Sequence, residues 1–168
     1  PQFLDVLINS GALLREMFRY KDALLRFKLA VDADPRNELA LSNYGVLLTD
    51  FKLRSQAIQA FQQLLSVNPD YPFCLGLMVY ERMHLCDWDD IKNMTALITQ
   101  GIREGKKISK TLGYMSLSDS AADHYLCGKI FANTFHAKPF KPMWNGEKYN
   151  HKKIKIAYVS PDFREHPV

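Results

Sequence analysis

Apolar residues recur along the first seventy positions at the three- and four-residue steps of an amphipathic helix, interrupted at regular intervals by turns. Leu7, Gly11 and Leu14 place an apolar stripe with a gap on a first helix, and Ala23, Phe27 and Ala30 give a second helix a small–large–small face. Pro35 ends that second helix, because it has no N–H to give the helical ladder. The same order returns 34 positions on, as Leu41, Tyr44, Gly45 and Leu48, then Ala57, Phe61 and Leu64, then Pro69. Gly11 thus falls on Gly45, Ala23 on Ala57, Phe27 on Phe61 and Pro35 on Pro69. Four special residue types at one offset mark a helix–turn–helix unit that stacks on copies of itself. In such a unit the glycine lets the two helices approach closely, and the aromatic ring fills the space between neighbouring units.

After Pro72 the pattern stays helical but loses the repeat. Leu75, Met78, Val79, Arg82 and Met83 lead to a break at Leu85-Cys86-Asp87-Trp88, and Ile91, Met94, Ala96, Leu97 and Ile98 follow up to Gly101. This stretch has the length of a third unit without its glycine, alanine or aromatic, so it reads as a degenerate, capping helix pair. A further helix is expected from Asp119, an N-cap candidate, through Ala122, Tyr125, Leu126 and Ile130 to about Phe135. The period and residue order resemble the tetratricopeptide repeat (TPR). The fold expected is therefore mainly α, a TPR α-solenoid with two repeats over 1–71 and capping and transition helices over 72–136. Pro1 stands almost inside the first helical pattern, and the expectation is that further repeats lie upstream.

The tail has a different period. Residues 137–152 read as a basic linker within a wider basic stretch: from Lys138 to Lys155 there are six lysines (138, 141, 148, 152, 153 and 155) and one acid, Glu147, with Pro139, Pro142 and Gly146 among them. A solvated linker and a phosphate- or RNA-binding patch both fit that stretch. Ile154, Ile156, Ala157, Tyr158 and Val159 then read as a short buried parallel strand, closed by Ser160-Pro161-Asp162. A lone strand leaves backbone groups unpaired on both edges, so this one needs partner strands from elsewhere.

Charge, cysteines and hydropathy narrow the picture. The balance of 22 basic to 18 acidic residues gives only +4, too small a surplus to imply nucleic acid from total charge alone, and a nucleic-acid partner is not expected. No apolar run is long enough to span a membrane and no export signal opens the chain, so a cytoplasmic setting is expected. Cys74, Cys86 and Cys127 are odd in number and widely spaced, and read as reduced core thiols. His84 and Cys86 flank one residue, but no second ligand pair stands at tetrahedral spacing, and no metal is expected.

Asn9 and Asn43 recur at the repeat offset on the first helices, which a stacked solenoid exposes on its concave side. A carboxamide offers both donor and acceptor and can hold the amide of an extended peptide without regard to sequence; the alternative is an asparagine merely tolerated at an exposed position. Leu77 occupies the corresponding place in the third unit, so such a ladder stops there. The first helices carry few bases, Arg15 and none between Glu38 and Thr49, which argues against a clamp for peptide carboxylates. The partner expected is an acceptor protein or peptide, and TPR units also offer a route to a homo-oligomer.

Leu85-Cys86-Asp87-Trp88 after degenerate repeats, then Lys153-Ile-Lys-Ile-Ala-Tyr-Val-Ser160, then Asp162-Phe163-Arg164-Glu165-His166-Pro167-Val168, resemble the bacterial O-linked N-acetylglucosamine transferases, the SPINDLY-like members of glycosyltransferase family 41. The resemblance implies a TPR arm leading into a two-lobed GT-B transferase, of which 153–168 would be the first Rossmann-like strand and loop. It implies transfer from UDP-GlcNAc to Ser or Thr hydroxyls of proteins by an inverting, metal-independent route with no cofactor; a fucose-transferring relative exists in the family. The family's motif histidine falls on His166, beside the acceptor, as a base or a hydrogen-bonding group. Asn9 and Asn43 fall on its concave asparagine ladder. No Gly-rich phosphate loop or uracil pocket is visible in the chain, so these residues alone are not expected to turn over the donor. The competing reading is a non-catalytic TPR scaffold.

Overall fold

The computed structural model describes residues 2–135 and, beyond them, 144, 146–148, 150, 152 and 153. The chain divides into two compact units, Pro1–Ala137 and Lys138–Val168. In the second, the Trp144 indole donates to the Glu147 carbonyl at 2.9 Å. The strand expected over 154–159, and His166 with it, lie outside the described residues.

The first unit is helical. Helices α1 (Gln2–Glu16) and α2 (Tyr20–Ala33) form one hairpin, and α3 (Glu38–Asp50) and α4 (Arg54–Val67) the next. Each glycine meets an aromatic ring as the offset predicted: a Cβ built on Gly11 would stand 2.6 Å from Phe27 Cε1, and one on Gly45 would stand 2.6 Å from Phe61 Cε1. Only hydrogen fits at either place, which is why helix-interior glycine persists against its propensity cost. Ala23, Phe27, Ala30, Ala57, Phe61 and Leu64 are buried. Phe27 also packs beside Leu47 of α3, so one ring joins its own hairpin to the next.

The turns repeat as well. Phe18 and Lys52, 34 positions apart, both adopt a left-handed backbone at φ +59°, closing the short turn inside each hairpin. Asp34 and Asn68 end α2 and α4, and each carboxyl or carboxamide oxygen accepts from the backbone N–H two residues on, at 3.0 and 3.1 Å. Pro35 and Pro69 follow those ends. Asn37 caps α3 by accepting from Ala40 N–H at 2.9 Å.

Past the second hairpin the packing changes. Helix α5 (Cys74–His84) lies on α4, and α6 (Ile91–Arg103), α7 (Thr111–Met115) and α8 (Ala121–Phe135) gather about a second core of Val79, Ile98, Ile102, Tyr114 and Cys127. The break at 85–90 is held by Arg82, whose guanidinium forks onto the Asp87 carboxylate at 2.7 and 2.9 Å and reaches the Asp89 carbonyl at 2.9 Å. An extended segment, 106–110, runs along the start of α5: Phe73 N–H donates to the Lys107 carbonyl and Gly76 N–H to the Ile108 carbonyl at 3.0 Å.

Three expectations need correction. The third unit does rely on glycines, at places the repeat did not mark: Gly76 abuts Ser109, and a Cβ on Gly101 would stand 2.8 Å from Ile108. Ser120, not Asp119, supports the start of α8, its hydroxyl accepting from Asp123 N–H at 3.3 Å. Only Cys74 and Cys127 are core thiols, whereas Cys86 is exposed in the α5–α6 turn. Among the described residues no helix is long and apolar enough to cross a membrane, and no three His, Cys, Asp or Glu side chains are placed to hold a metal.

Candidate peptide-docking surface

Stacking the hairpins sets α1 beside α3 and leaves one side of each first helix free of the second helices. Asn9 lies on the exposed part of α1, and among the described residues its carboxamide has no hydrogen-bond partner. Asn43, one unit on, is half-buried and partly engaged. Its Nδ2 donates to the Leu39 carbonyl of the preceding turn at 2.9 Å, and its Oδ1 accepts from Arg15 Nη1 at 3.4 Å.

The chemistry left over at Asn43 can be counted. A carboxamide has two N–H groups and two lone pairs, so one donor and one acceptor site remain after these two bonds. That is the set needed to meet one peptide amide. Arg15 is the basic residue the sequence placed on this side, and it reaches across the two units to Asn43. Here it steadies a carboxamide and ties α1 to α3. Thr49 turns its hydroxyl back to the Gly45 carbonyl at 3.2 Å and so takes no part.

Leu77 departs from the ladder in its surroundings too. It packs partly against the core of α4, and with Tyr80, Leu112 and Gly113 it lines an apolar notch of about 120 Å³ between α5 and α7. Four residues on, Glu81 of α5 is buried and ion-paired with Arg54 at 2.8 Å. Neither that pair nor the fork from Arg103 to Asp123 (2.9 and 2.8 Å) is legible in the sequence, because neither spacing falls within one helix turn. The Arg103 guanidinium holds the Asp123 carboxyl down at about 2, against an ordinary 3.8, with Ser120 adding to the effect. Burial pushes the Cys74 thiol up to about 12, an inert setting.

No family model matches the chain, and no curated protein does. Among solved structures, it is similar to the crystal structure of the Sgt2 TPR domain from Aspergillus fumigatus, at a TM-score of 0.54 and 20% identity, covering 86% of this chain and 90% of that one. At that identity the likeness shows the fold, and the fold is a helical solenoid of the TPR kind.

Proposed function

We propose that the chain is a protein-interaction module that holds an extended stretch of another polypeptide along α1 and α3, through the carboxamides of Asn9 and Asn43. The observation that carries this reading is the unspent donor and acceptor on Asn43, presented at the same repeat position as the unpartnered Asn9. Gripping backbone amides rather than side chains gives affinity with little sequence preference. The test is fluorescence anisotropy with a panel of labelled, unstructured peptides and their shuffled versions. Binding should tolerate shuffling and weaken about 5-fold for each of Asn9→Ala and Asn43→Ala, the worth of one hydrogen bond of ~1 kcal/mol. Failure of every peptide to bind, or indifference to both substitutions, would sink the proposal.

A second reading makes this module the acceptor-docking arm of a protein O-GlcNAc transferase. It rests on the sequence resemblance carried by residues 85–88 and 153–168, with His166 as base or acceptor contact and UDP-GlcNAc as donor of the whole enzyme. In that division of labour the nucleotide site belongs elsewhere. Calorimetry of this chain against UDP should then show no heat of binding, and micromolar affinity would refute the division.

A further inference from the structure

Gly113 of α7 falls two repeat lengths after Gly45, yet no contact requires it to be glycine. A Cβ on it would meet the Tyr80 side chain at 3.6 and 3.7 Å and the Gly76 carbonyl oxygen at 3.8 Å, all ordinary contacts. Gly11, Gly45, Gly76 and Gly101, by contrast, each face an atom too close to admit a methyl group. Gly113 therefore gives up helix propensity without relieving any clash. What its missing methyl group leaves open is the notch of about 120 Å³ between α5 and α7. Leu77, Tyr80 and Leu112 are its apolar walls. The Tyr80 ring is held edge-on by His84, with centroids 4.4 Å apart, and Leu112 is 67% exposed. The Ser109 hydroxyl in the lining is already spent, donating to the Lys110 carbonyl at 3.1 Å. Among the described residues Lys110 is the one charge in the lining, and its ammonium has no hydrogen-bond or ion-pair partner.

We infer that this notch is an anchor subsite for one aliphatic side chain of the bound polypeptide, of leucine size and flanked by Asp or Glu, whose carboxylate pairs with Lys110. The inference rests on the reading of α1 and α3 as a peptide-docking surface and carries that surface on to α5. Helix α5 packs on α4 as α3 packs on α2, with Glu81 buried where Leu47 is, and Leu77 holds the repeat place of Asn9 and Asn43. The row of carboxamides thus gives way to an apolar recess at the next step. Size selects the occupant: an apolar cavity of about 150 Å³ takes a benzene molecule, so a notch of about 120 Å³ admits the isobutyl group of leucine and excludes an indole. Charge selects its neighbours. With an unpaired cation in the lining and no acid, an acidic flank is attracted and a basic one repelled. The carboxamides supply the affinity common to all sequences, and the notch adds a preference among them.

The probe is a short unstructured peptide of Ser, Thr and Gln with Asp-Leu-Asp at its centre, its ends acetylated and amidated so that only side chains carry charge. Titrated into the whole chain and followed by fluorescence anisotropy, it should bind about tenfold more tightly than the Asp-Ala-Asp version, as burial of an aliphatic side chain implies. It should bind about threefold more tightly than Asn-Leu-Asn, the scale of one partly exposed ion pair. Lys110→Glu should reverse the charge preference in favour of Lys-Leu-Lys. Gly113→Ala should remove most of the leucine advantage while leaving the chain at least as stable in a thermal melt, which shows that the variant is folded. A leucine advantage untouched by Gly113→Ala, or a charge preference untouched by Lys110→Glu, overturns the inference. So does a dimer in sedimentation that Gly113→Ala abolishes, because the notch would then belong to a second copy. Asn43→Ala should weaken every peptide by a common factor and leave the leucine advantage intact. Loss of the common factor alone fails the docking surface, loss of the leucine advantage alone fails the notch, and absence of all binding fails both.

Discussion

Arg54 Nη1 donates to Glu81 Oε2 at 2.8 Å, joining the first residue of α4 to the middle of α5. The Glu81 side chain is 1% exposed, and its other oxygen, Oε1, has no hydrogen-bond partner among the described residues. One guanidinium N–H is therefore the main compensation for a buried carboxylate. Arg54→Ala should destabilise the chain by about 3–5 kcal/mol, because it leaves that charge stranded. Replacing both residues with leucine should restore most of the loss. Urea titrations of the single and double variants measure the difference. A single substitution costing under ~1 kcal/mol would mean that the carboxylate is served by some other group.

The glycine–aromatic contacts give opposing effects that can be ranked. Gly11→Ala or Gly45→Ala gains helix propensity worth about 1 kcal/mol. Against this stands a Cβ placed 2.6 Å from a ring that is itself fully buried and cannot swing aside. Overpacking of that kind costs about 1–3 kcal/mol, so both variants should lose stability on balance. Gly11→Ala combined with Phe27→Leu should be milder than the sum of the two, because the smaller side chain makes room for the methyl group. Additive losses in thermal melts would deny the contact.

Acid should loosen the second core before the repeats. Asp123 has a folded pKa of about 2 against an ordinary 3.8. A depressed carboxyl contributes its stabilisation above the ordinary value, and that contribution disappears as pH falls from about 4 towards 2. Near-ultraviolet circular dichroism of Tyr114, which packs in the same core, should follow this loss. Asp123→Asn should remove the pH dependence in that window and weaken the protein at neutral pH. A profile unchanged by Asp123→Asn would assign the transition to other carboxyls.

The three thiols should separate by access. Cys86 is exposed, whereas Cys74 and Cys127 are buried with raised pKa values. A thiol reagent at pH 8 should label one cysteine per native chain quickly, and three only after unfolding. Cys86→Ser should abolish the fast phase; fast labelling that survives it would mean that a buried site opens readily.

Much of the hairpin architecture was legible because close helix contacts admit few residue types. A glycine facing a ring, two alanines facing a neighbour and a proline after each unit leave marks at a fixed offset. The end of the array was harder to read. Gly76 and Gly101 matter because the 106–110 segment passes close by, and no periodicity announces an extended segment lying on a helix. Arg15 stands out in the sequence as a lone base, yet its bond to Asn43 depends on how two units stack, which a single helix pattern does not contain. The Arg54–Glu81 pair has the same origin. At the start of α8, Asp119 and Ser120 are both good cap residues, and only the geometry chooses the serine. Asp34 and Asn68 did carry a signal, an Asx residue ahead of each proline, that could have predicted the paired turns.

The segment 106–110 has a consequence for how such an array can be extended. Its carbonyls fill the hydrogen-bonding places at the head of α5, and Ser109 closes against Gly76. A new hairpin added on that side would have to evict this segment and strand those amides. The helical stack therefore behaves like a chain with a terminator at one end.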